Sequence, residues 1–393
     1  MEVYQPREDS YLMLAAVNEF AKGNVLDIGT GSGLLAMAAA RKGQVRSATA
    51  ADISRKALKE ASNAAEKEKV RIKFICSDLF SKVPRQKYDT IIFNPPYLPQ
   101  DRGITDAAIY GGRKGHETIQ RFLCASNDYL SASGSILLLF STLTGKHKVE
   151  QAIAECCYEY DIVSSTPLFF ERLYVYRIFK SSLLRQLESK GIKDVRLLAR
   201  GHRSVVFTGS RGRRKIAVKA ARNDTAARGF IANEAKWLKR LNKMHIGPRL
   251  LWAKKDIMAY DYVDGIPILK YIETASKDAV LAVLRRILQQ CLVMDALGVN
   301  KQEMHHPVKH ILVDGTKPVM IDFERCKKAR KPKNVTQFLQ FIASTRMHSL
   351  LQDKGIMIAP DVAREAAREY REKGKLPVFT WLPGPFSLEM PIS

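Results

Sequence analysis

Long apolar runs are missing from this 393-residue sequence. The longest, residues 34–40 and 136–140, fall far short of the ~18 needed to cross a bilayer, so no membrane segment is expected. The opening Met-Glu-Val-Tyr-Gln-Pro-Arg-Glu-Asp lacks the basic and then apolar regions of a secretory signal. A cytoplasmic location is therefore expected. Cysteine is scarce, at six. None falls in a C-x-x-C pair and no Cys/His cluster has zinc spacing, which excludes a disulfide framework and a structural zinc. Buried thiols in a reducing compartment are expected instead. Internal repeats and low-complexity tracts are also absent, so a solenoid is excluded.

Acidic residues are in deficit: 40 against 64 Lys+Arg, a net charge of +24. The deficit is uneven. Residues 1–180 carry 24 basic and 20 acidic residues, while residues 181–393 carry 40 and 20. That asymmetry points to two domains and to a polyanionic partner, RNA or the ribosome, for the second half.

The first half alternates strand-like and helix-like segments. Strands are expected at 25–28, 47–51, 70–76, 90–93, 135–140, 160–164 and 173–179, with helices at 34–41 and 55–67. Such alternation predicts an α/β fold, a mostly parallel seven-stranded sheet with helices on both faces. The two late strands lie close together and are expected to form an antiparallel edge. A polar-faced helix over 181–190 marks the boundary, giving domains at 1–180 and 190–393. Beyond it, strands are expected at 195–200, 204–209 and 215–220, then a helix over 226–241, a short sheet region over 250–262, and mostly helix thereafter.

Val25-Leu-Asp-Ile-Gly-Thr-Gly-Ser-Gly33 sits where the first strand turns into a helix. Gly29, Gly31 and Gly33 let the backbone, with Thr30, approach a ligand. The spacing is G-x-G-x-G, not the dinucleotide G-x-G-x-x-G. Asp27 just before it would repel a pyrophosphate, but it favours the ammonium and sulfonium of S-adenosylmethionine. Asp52 after the second strand can take both ribose hydroxyls. Asp78 after the third can accept from the adenine amino group. Three acids at successive strand ends open onto one crevice, where open α/β sheets bind ligands.

Asn94-Pro95-Pro96-Tyr97 follows the fourth strand. An amide nitrogen is a poor nucleophile because its lone pair is delocalised. Two prolines stiffen the loop and donate no hydrogen bonds. The Asn94 side-chain oxygen and the Pro95 carbonyl are then free to accept both N–H groups of a planar target. Tyr97 can cover that flat group. Catalysis would come from proximity and orientation, without metal.

These motifs resemble the HemK-type glutamine-N5 methyltransferases, class I (Rossmann-like) enzymes. Within that family they are most similar to the eukaryotic and archaeal branch acting on class 1 translation termination factors. Tyr4-Gln-Pro-Arg-Glu-Asp-Ser10 and Gly111-Gly-Arg-Lys-Gly115 carry the narrower resemblance. Tyr110 stands where the branch has tryptophan. The resemblance implies that Ser10, Asp27, Gly29, Asp52, Ile53, Asp78 and Leu79 contact the cofactor, that Asn94 bridges cofactor and substrate, and that a small activating subunit assists. An adenine-N6 target on RNA or DNA is the alternative, because its exocyclic amine has the same geometry and the basic half offers nucleic-acid binding.

In the second half, Gly201-His-Arg-Ser-Val-Val-Phe207 followed by Lys219 resembles a kinase nucleotide loop and its strand lysine. Glu234 on the next helix is placed to pair with Lys219. Ile321-Asp322-Phe-Glu resembles the metal-binding Asp-Phe-Gly motif. Together they look like the RIO-type atypical kinases, an α+β domain with ATP and a magnesium ion at Asp322. No His-x-Asp is present. Glu303 or His305 could stand in for the catalytic aspartate, and His310 falls where asparagine is expected, so an inactive pseudokinase is the alternative.

Overall fold

Apolar strands flanked by Ala- and Leu-rich helices build the first unit. In the computed structural model, residues 7–95, 115–222, 229–374 and 376 are described. The first unit contains α1 (Glu8–Phe20), β1 (Gly23–Ile28), α2 (Leu34–Ala40), β2 (Val45–Asp52), α3 (Arg55–Lys67), β3 (Lys73–Cys76), β4 (Tyr88–Phe93), α4 (Glu117–Ser126), β5 (Leu130–Ser141), α5 (Lys146–Glu155), β6 (Tyr158–Pro167), β7 (Arg172–Lys180) and α6 (Ser182–Ser189). The strands form one seven-stranded sheet, ordered β3-β2-β1-β4-β5-β7-β6. Strands β3, β2, β1, β4 and β5 pair in parallel.

Alternate residues on each strand face opposite sides. Val25, Ile92, Leu137, Leu139, Leu173 and Val175 meet Met13, Ala16 and Val17 of α1 and Leu35 of α2. On the other face Phe93 stacks on Phe122 of α4 at 4.1 Å. Helices therefore cover both faces, as a parallel sheet requires.

The expected antiparallel edge is present: β6 and β7 pair antiparallel at the end of the sheet, with β7 antiparallel to β5 and β6 keeping the direction of β5. The reason lies in the connections. Helix α5 crosses over between β5 and β6, while a tight hairpin joins β6 to β7 and reverses the chain.

The connecting helix α6 belongs with the first unit. Ser181 caps it by accepting from the Leu184 amide at 3.1 Å. Buried Lys180 donates to Glu188 at 2.7 Å, and Leu184 and Leu187 are buried. The chain divides later than that helix, into Met1–Leu197 and Leu198–Ser393.

The second unit carries β8 (Lys193–Arg200), whose first residues precede the division, β9 (Ser204–Arg211), β10 (Arg214–Ala221), α7 (Phe230–Leu241), β11 (Leu250–Lys254) and β12 (Ile257–Asp261). These strands form a five-stranded sheet, ordered β11-β12-β10-β9-β8. Then follow β13 (Ile266–Pro267), α8 (Ile268–Thr274), α9 (Lys277–Ala296), β14 (Val299–Asn300), β15 (Ile311–Asp314), β16 (Lys317–Met320), β17 (Lys327–Lys328), α10 (Asn334–Ile342), α11 (Thr345–Asp353) and α12 (Pro360–Lys373). Leu284, Ile287 and Leu288 of α9 pack in one core with Phe338 and Leu339 of α10 and Ala363 and Ala367 of α12. No helix among the described residues is long and apolar enough to cross a membrane.

Candidate functional site

Strand β1 delivers Asp27 to the carboxyl edge of the sheet, and the chain turns at once into α2. Gly29, Gly31 and Gly33 all have positive φ. At Gly33 the constraint is doubled, because a Cβ there would lie 2.9 Å from that of Ala61. The turn is tied to its neighbour: the Gly29 and Thr30 amides donate to the Ala51 carbonyl at 2.8 and 3.1 Å. The Gly31 amide donates to Asp52 Oδ2 at 2.9 Å, and the Ser54 amide to Asp52 Oδ1 at 2.8 Å. One hydrogen bond per oxygen fixes the Asp52 carboxylate and leaves each oxygen a lone pair for a diol.

Asp27 is 1 % exposed. Burial pushes its carboxyl up to about 7, the Thr30 hydroxyl donating at 2.6 Å works against that, and the Asp52 charge adds to it. A buried acid held near neutrality, next to an open glycine turn, is suited to receive a cationic group. Ile53, 62 % exposed, follows Asp52. Leu79 adopts φ 47° beside Asp78. The Asp78 carboxylate is shared, because Arg121 Nη2 donates to its Oδ2 at 2.7 Å.

Strand β4 ends at Phe93, and Asn94 extends beyond it. The Asn94 Nδ2 donates to Asp9 Oδ2 at 2.9 Å. Asp9, on α1, is buried, as is the adjoining Ser10, whose hydroxyl donates to Asp9 at 3.4 Å. The carboxylate fixes the amide orientation, since the flipped amide would set oxygen against oxygen. Asn94 Oδ1 is buried and has no hydrogen-bond partner among the described residues. A buried acceptor left unpaired costs about 1–3 kcal/mol, and a donor arriving at the site would recover that. Pro95 is buried next to it. Pro96, Tyr97, Tyr110, the Gly111–Gly115 loop up to residue 114 and Tyr4 with its neighbours lie outside the described residues.

The structure thus brings Ser10, Asn94 and Pro95 to one carboxyl edge with Asp27, Thr30, the three glycines, Asp52, Ile53, Asp78 and Leu79. It adds Asp9, whose role no sequence motif marks. An acid in the first turn of a helix reads as a complement to the helix dipole.

The sequence of the first unit matches the family model of the methyltransferase small domain over residues 8–169. A protein of Methanocaldococcus jannaschii, provisionally named a protein N5-glutamine methyltransferase, is 36% identical over 184 residues, covering 46% of this chain and 92% of that protein. The chain belongs to the protein N5-glutamine methyltransferase family. The human methyltransferase HEMK2 is 36% identical over 152 residues, 35% of this chain and 71% of that protein. The solved Mtq2–Trm112 complex of E. cuniculi, described as responsible for methylation of the eRF1 termination factor, is 26% identical with TM-score 0.39, covering 46% of this chain and 100% of that one. As a member of this family, the chain is an S-adenosylmethionine-dependent protein-glutamine N-methyltransferase. The site fits that cofactor: a near-neutral buried acid, a glycine turn and a fixed carboxylate line one edge.

The second unit holds a different cluster. Lys219 on β10 is buried and donates to Glu234 Oε2 of α7 at 2.6 Å, Asp322 Oδ1 at 3.1 Å and Glu324 Oε2 at 3.4 Å. Burial opposes its charge, but the three carboxylates outweigh it and raise its pKa. Arg203, in the 201–203 loop, lies 3.5 Å from Glu324 Oε1. Gly201 closes that loop, donating to the Ser204 carbonyl at 2.8 Å. Lys301, fully buried, donates to the carbonyls of Ile321 (2.8 Å) and Asp322. His310 Nε2 lies 3.3 Å from Glu303 Oε2, and His310 Nδ1 lies 3.7 Å from Asp322 Oδ2. Sequence reasoning passed over Lys301, since a lysine among polar residues reads as exposed.

Proposed function

We propose that the first unit methylates the side-chain nitrogen of the Gly-Gly-Gln glutamine of a class 1 translation termination factor, with Asn94, Pro95, Pro96 and Tyr97 as its catalytic tetrapeptide. The observation that carries this is the Asn94 oxygen, buried and without a partner among the described residues, whose amide nitrogen is held by Asp9. A planar N–H₂ group is what such an acceptor, next to the Pro95 carbonyl, would satisfy. Accepting both N–H groups leaves the target's lone pair directed out of the plane of those bonds. When bound, S-adenosylmethionine supplies the electrophilic methyl group. Asp27 faces its ammonium, Asp52 takes the ribose hydroxyls, and Asp78 and Leu79 border the adenine. Ser10, Gly29, Thr30, Gly31, Gly33 and Ile53 complete the contact set.

The test is transfer from labelled cofactor to a termination factor, followed by mass mapping. Label on the Gly-Gly-Gln glutamine supports the proposal. Label that survives Gln→Asn in the factor would contradict it. Label confined to RNA or DNA would install adenine-N6 as the target. A small activating subunit is expected on the family resemblance alone, and a cytoplasmic site of action fits a translation substrate.

For residues 190–393 we propose a kinase-like domain of the RIO type. Lys219 and Gly201 would hold ATP phosphates, with Glu234 positioning Lys219. Asp322 and Glu324 are hard oxygen donors of the kind magnesium takes. Glu303 is favoured over His305 as the stand-in acid, because it lies against His310 and thereby near Asp322. Calorimetry with ATP and magnesium, with and without Lys219→Ala, tests the site; no binding by the unmutated chain marks a pseudokinase. RNA or ribosome contact through this basic half is tested by filter binding in rising salt, where phosphate contacts must weaken.

A further inference from the structure

The β6–β7 hairpin projects from the same sheet edge as the catalytic residues. Its turn is closed by the Leu168 amide donating to the Glu171 carbonyl at 2.7 Å. Leu168 points inward and packs on the α1 core. The two residues between do the opposite. Phe169 is 93 % exposed and Phe170 is 86 % exposed, with ring centroids 4.9 Å apart. Leu143, in the loop after β5, is 46 % exposed. That loop is joined to the hairpin, because the Arg172 amide donates to Thr142 Oγ1 at 3.0 Å. Single exposed apolar residues need no explanation, but an adjoining group of them marks an interaction site. Exposed Arg172 lies at the foot of the hairpin, and exposed Lys148 lies in the first turn of α5, just after the loop.

Strand register places the hairpin relative to Asn94. Phe93 lies level with Leu138. Ser141, three residues further along β5, lies level with Leu173 and, across β7, with Thr166. The hairpin turn therefore continues past the end of β5. At ~3.3 Å per residue along strands and ~4.8 Å between them, the Phe169–Phe170 tip stands roughly 20 Å from Asn94. A two-residue flank on either side of a target glutamine reaches only about 7 Å. The tip is thus beyond a short peptide and within reach of a folded protein.

We infer that Phe169 and Phe170, with Leu143, form a docking wedge for the body of the folded protein that carries the target glutamine, received in an apolar depression with an acidic border. This rests on the glutamine-transfer proposal above and names the second point of contact for that same site. The wedge acts on protein recognition and leaves cofactor and tetrapeptide untouched.

The test uses the full chain and its Phe169→Ser/Phe170→Ser variant, with two acceptors: an intact class 1 termination factor and a five-residue peptide centred on the Gly-Gly-Gln glutamine. The variant is expected to lose roughly 10- to 100-fold in kcat/KM on the factor, mainly through KM, as for truncated interface anchors. Its kcat/KM on the peptide and its cofactor affinity should stay within about twofold. Phe169→Ser alone should fall between. Equal losses on factor and peptide would overturn the wedge, as would an unchanged rate on the factor. A fall in thermal midpoint would show the pair buried within the chain in solution and would also overturn it. Loss of transfer to RNA rather than to the factor would assign the aromatics to base stacking instead. An unmutated chain that methylates RNA or DNA but neither glutamine acceptor would overturn the glutamine target, and this inference with it.

Discussion

Lowering the pH should expel the cofactor before it unfolds the enzyme. Asp27 is buried at the end of β1, and burial raises its carboxyl to about 7 against 3.8. In the free protein it is therefore largely protonated at pH 6. Seating an ammonium beside it favours the ionised form, so binding must release that proton. The sign follows from the raised acid: affinity is full above about pH 7 and falls as the pH drops below it. With one proton released, the dissociation constant rises about tenfold per unit, or roughly 25-fold between pH 7.5 and 5.5. The window stops at 7.5 because an α-amino group itself titrates at about 7.7–8.0. Calorimetry of S-adenosylmethionine binding in two buffers of different ionisation enthalpy reads both quantities. It should count about 0.9 proton released at pH 6. Asp27→Asn should weaken binding and remove both the pH slope and the proton release. A flat affinity with no proton exchange in the unmutated protein would refute the role given to Asp27.

The same carboxyl predicts a stability effect without cofactor. Its contribution is fully present below pH 3.8 and is lost as pH rises through about 7, so Asp27→Asn should stabilise the cofactor-free protein at pH 8 by up to about 4 kcal/mol, and less at pH 5, read by urea denaturation. Asn94→Ala should cut transfer by at least roughly 100-fold with cofactor affinity nearly unchanged, whereas Asp9→Ala, which frees the Asn94 amide to turn and releases the Ser10 hydroxyl, should lower kcat by about 10-fold; a loss of cofactor affinity as large for Asn94→Ala as for Asp27→Asn would contradict the role given to Asn94. Gly33→Ala forces a Cβ against Ala61 at φ 81°, and should cost about 1–3 kcal/mol with a matching loss of cofactor affinity in calorimetry. In the second unit, Glu234→Ala removes one of the three carboxylates around buried Lys219 and should destabilise by about 1–3 kcal/mol, seen as a separate lower-temperature transition in scanning calorimetry.

Sequence reasoning went furthest where the chemistry is local. The glycine turn, Asp27 and Asn94 sit directly after apolar strand runs, so their edge of the sheet follows from chain order alone. The antiparallel pairing of β6 and β7 was legible because so short a connection makes a hairpin, whereas which of the two would neighbour β5 was not. The Asp9–Asn94 bond joins residues 85 positions apart. Nothing in the periodicity of α1 marks one acid of its first turn as buried. Lys301 was hidden for the same reason, since its partners are backbone carbonyls of a distant segment, and carbonyls leave no trace in residue identity. The exposed Phe169–Phe170 pair was not legible either, since two aromatics beside a strand ordinarily signal core.

Helix α1 does more than cover the sheet. Its inner residues Met13, Ala16 and Val17 dock on the core while Asp9, one to two turns earlier, sets the Asn94 amide. Terminal turns are where helices open first. Fraying of that turn would let the amide swing and cancel the acceptor while every strand stayed paired. Activity then reports the docking of one helix end, and a ligand that clamps α1 would raise turnover without touching methyl donor or glutamine.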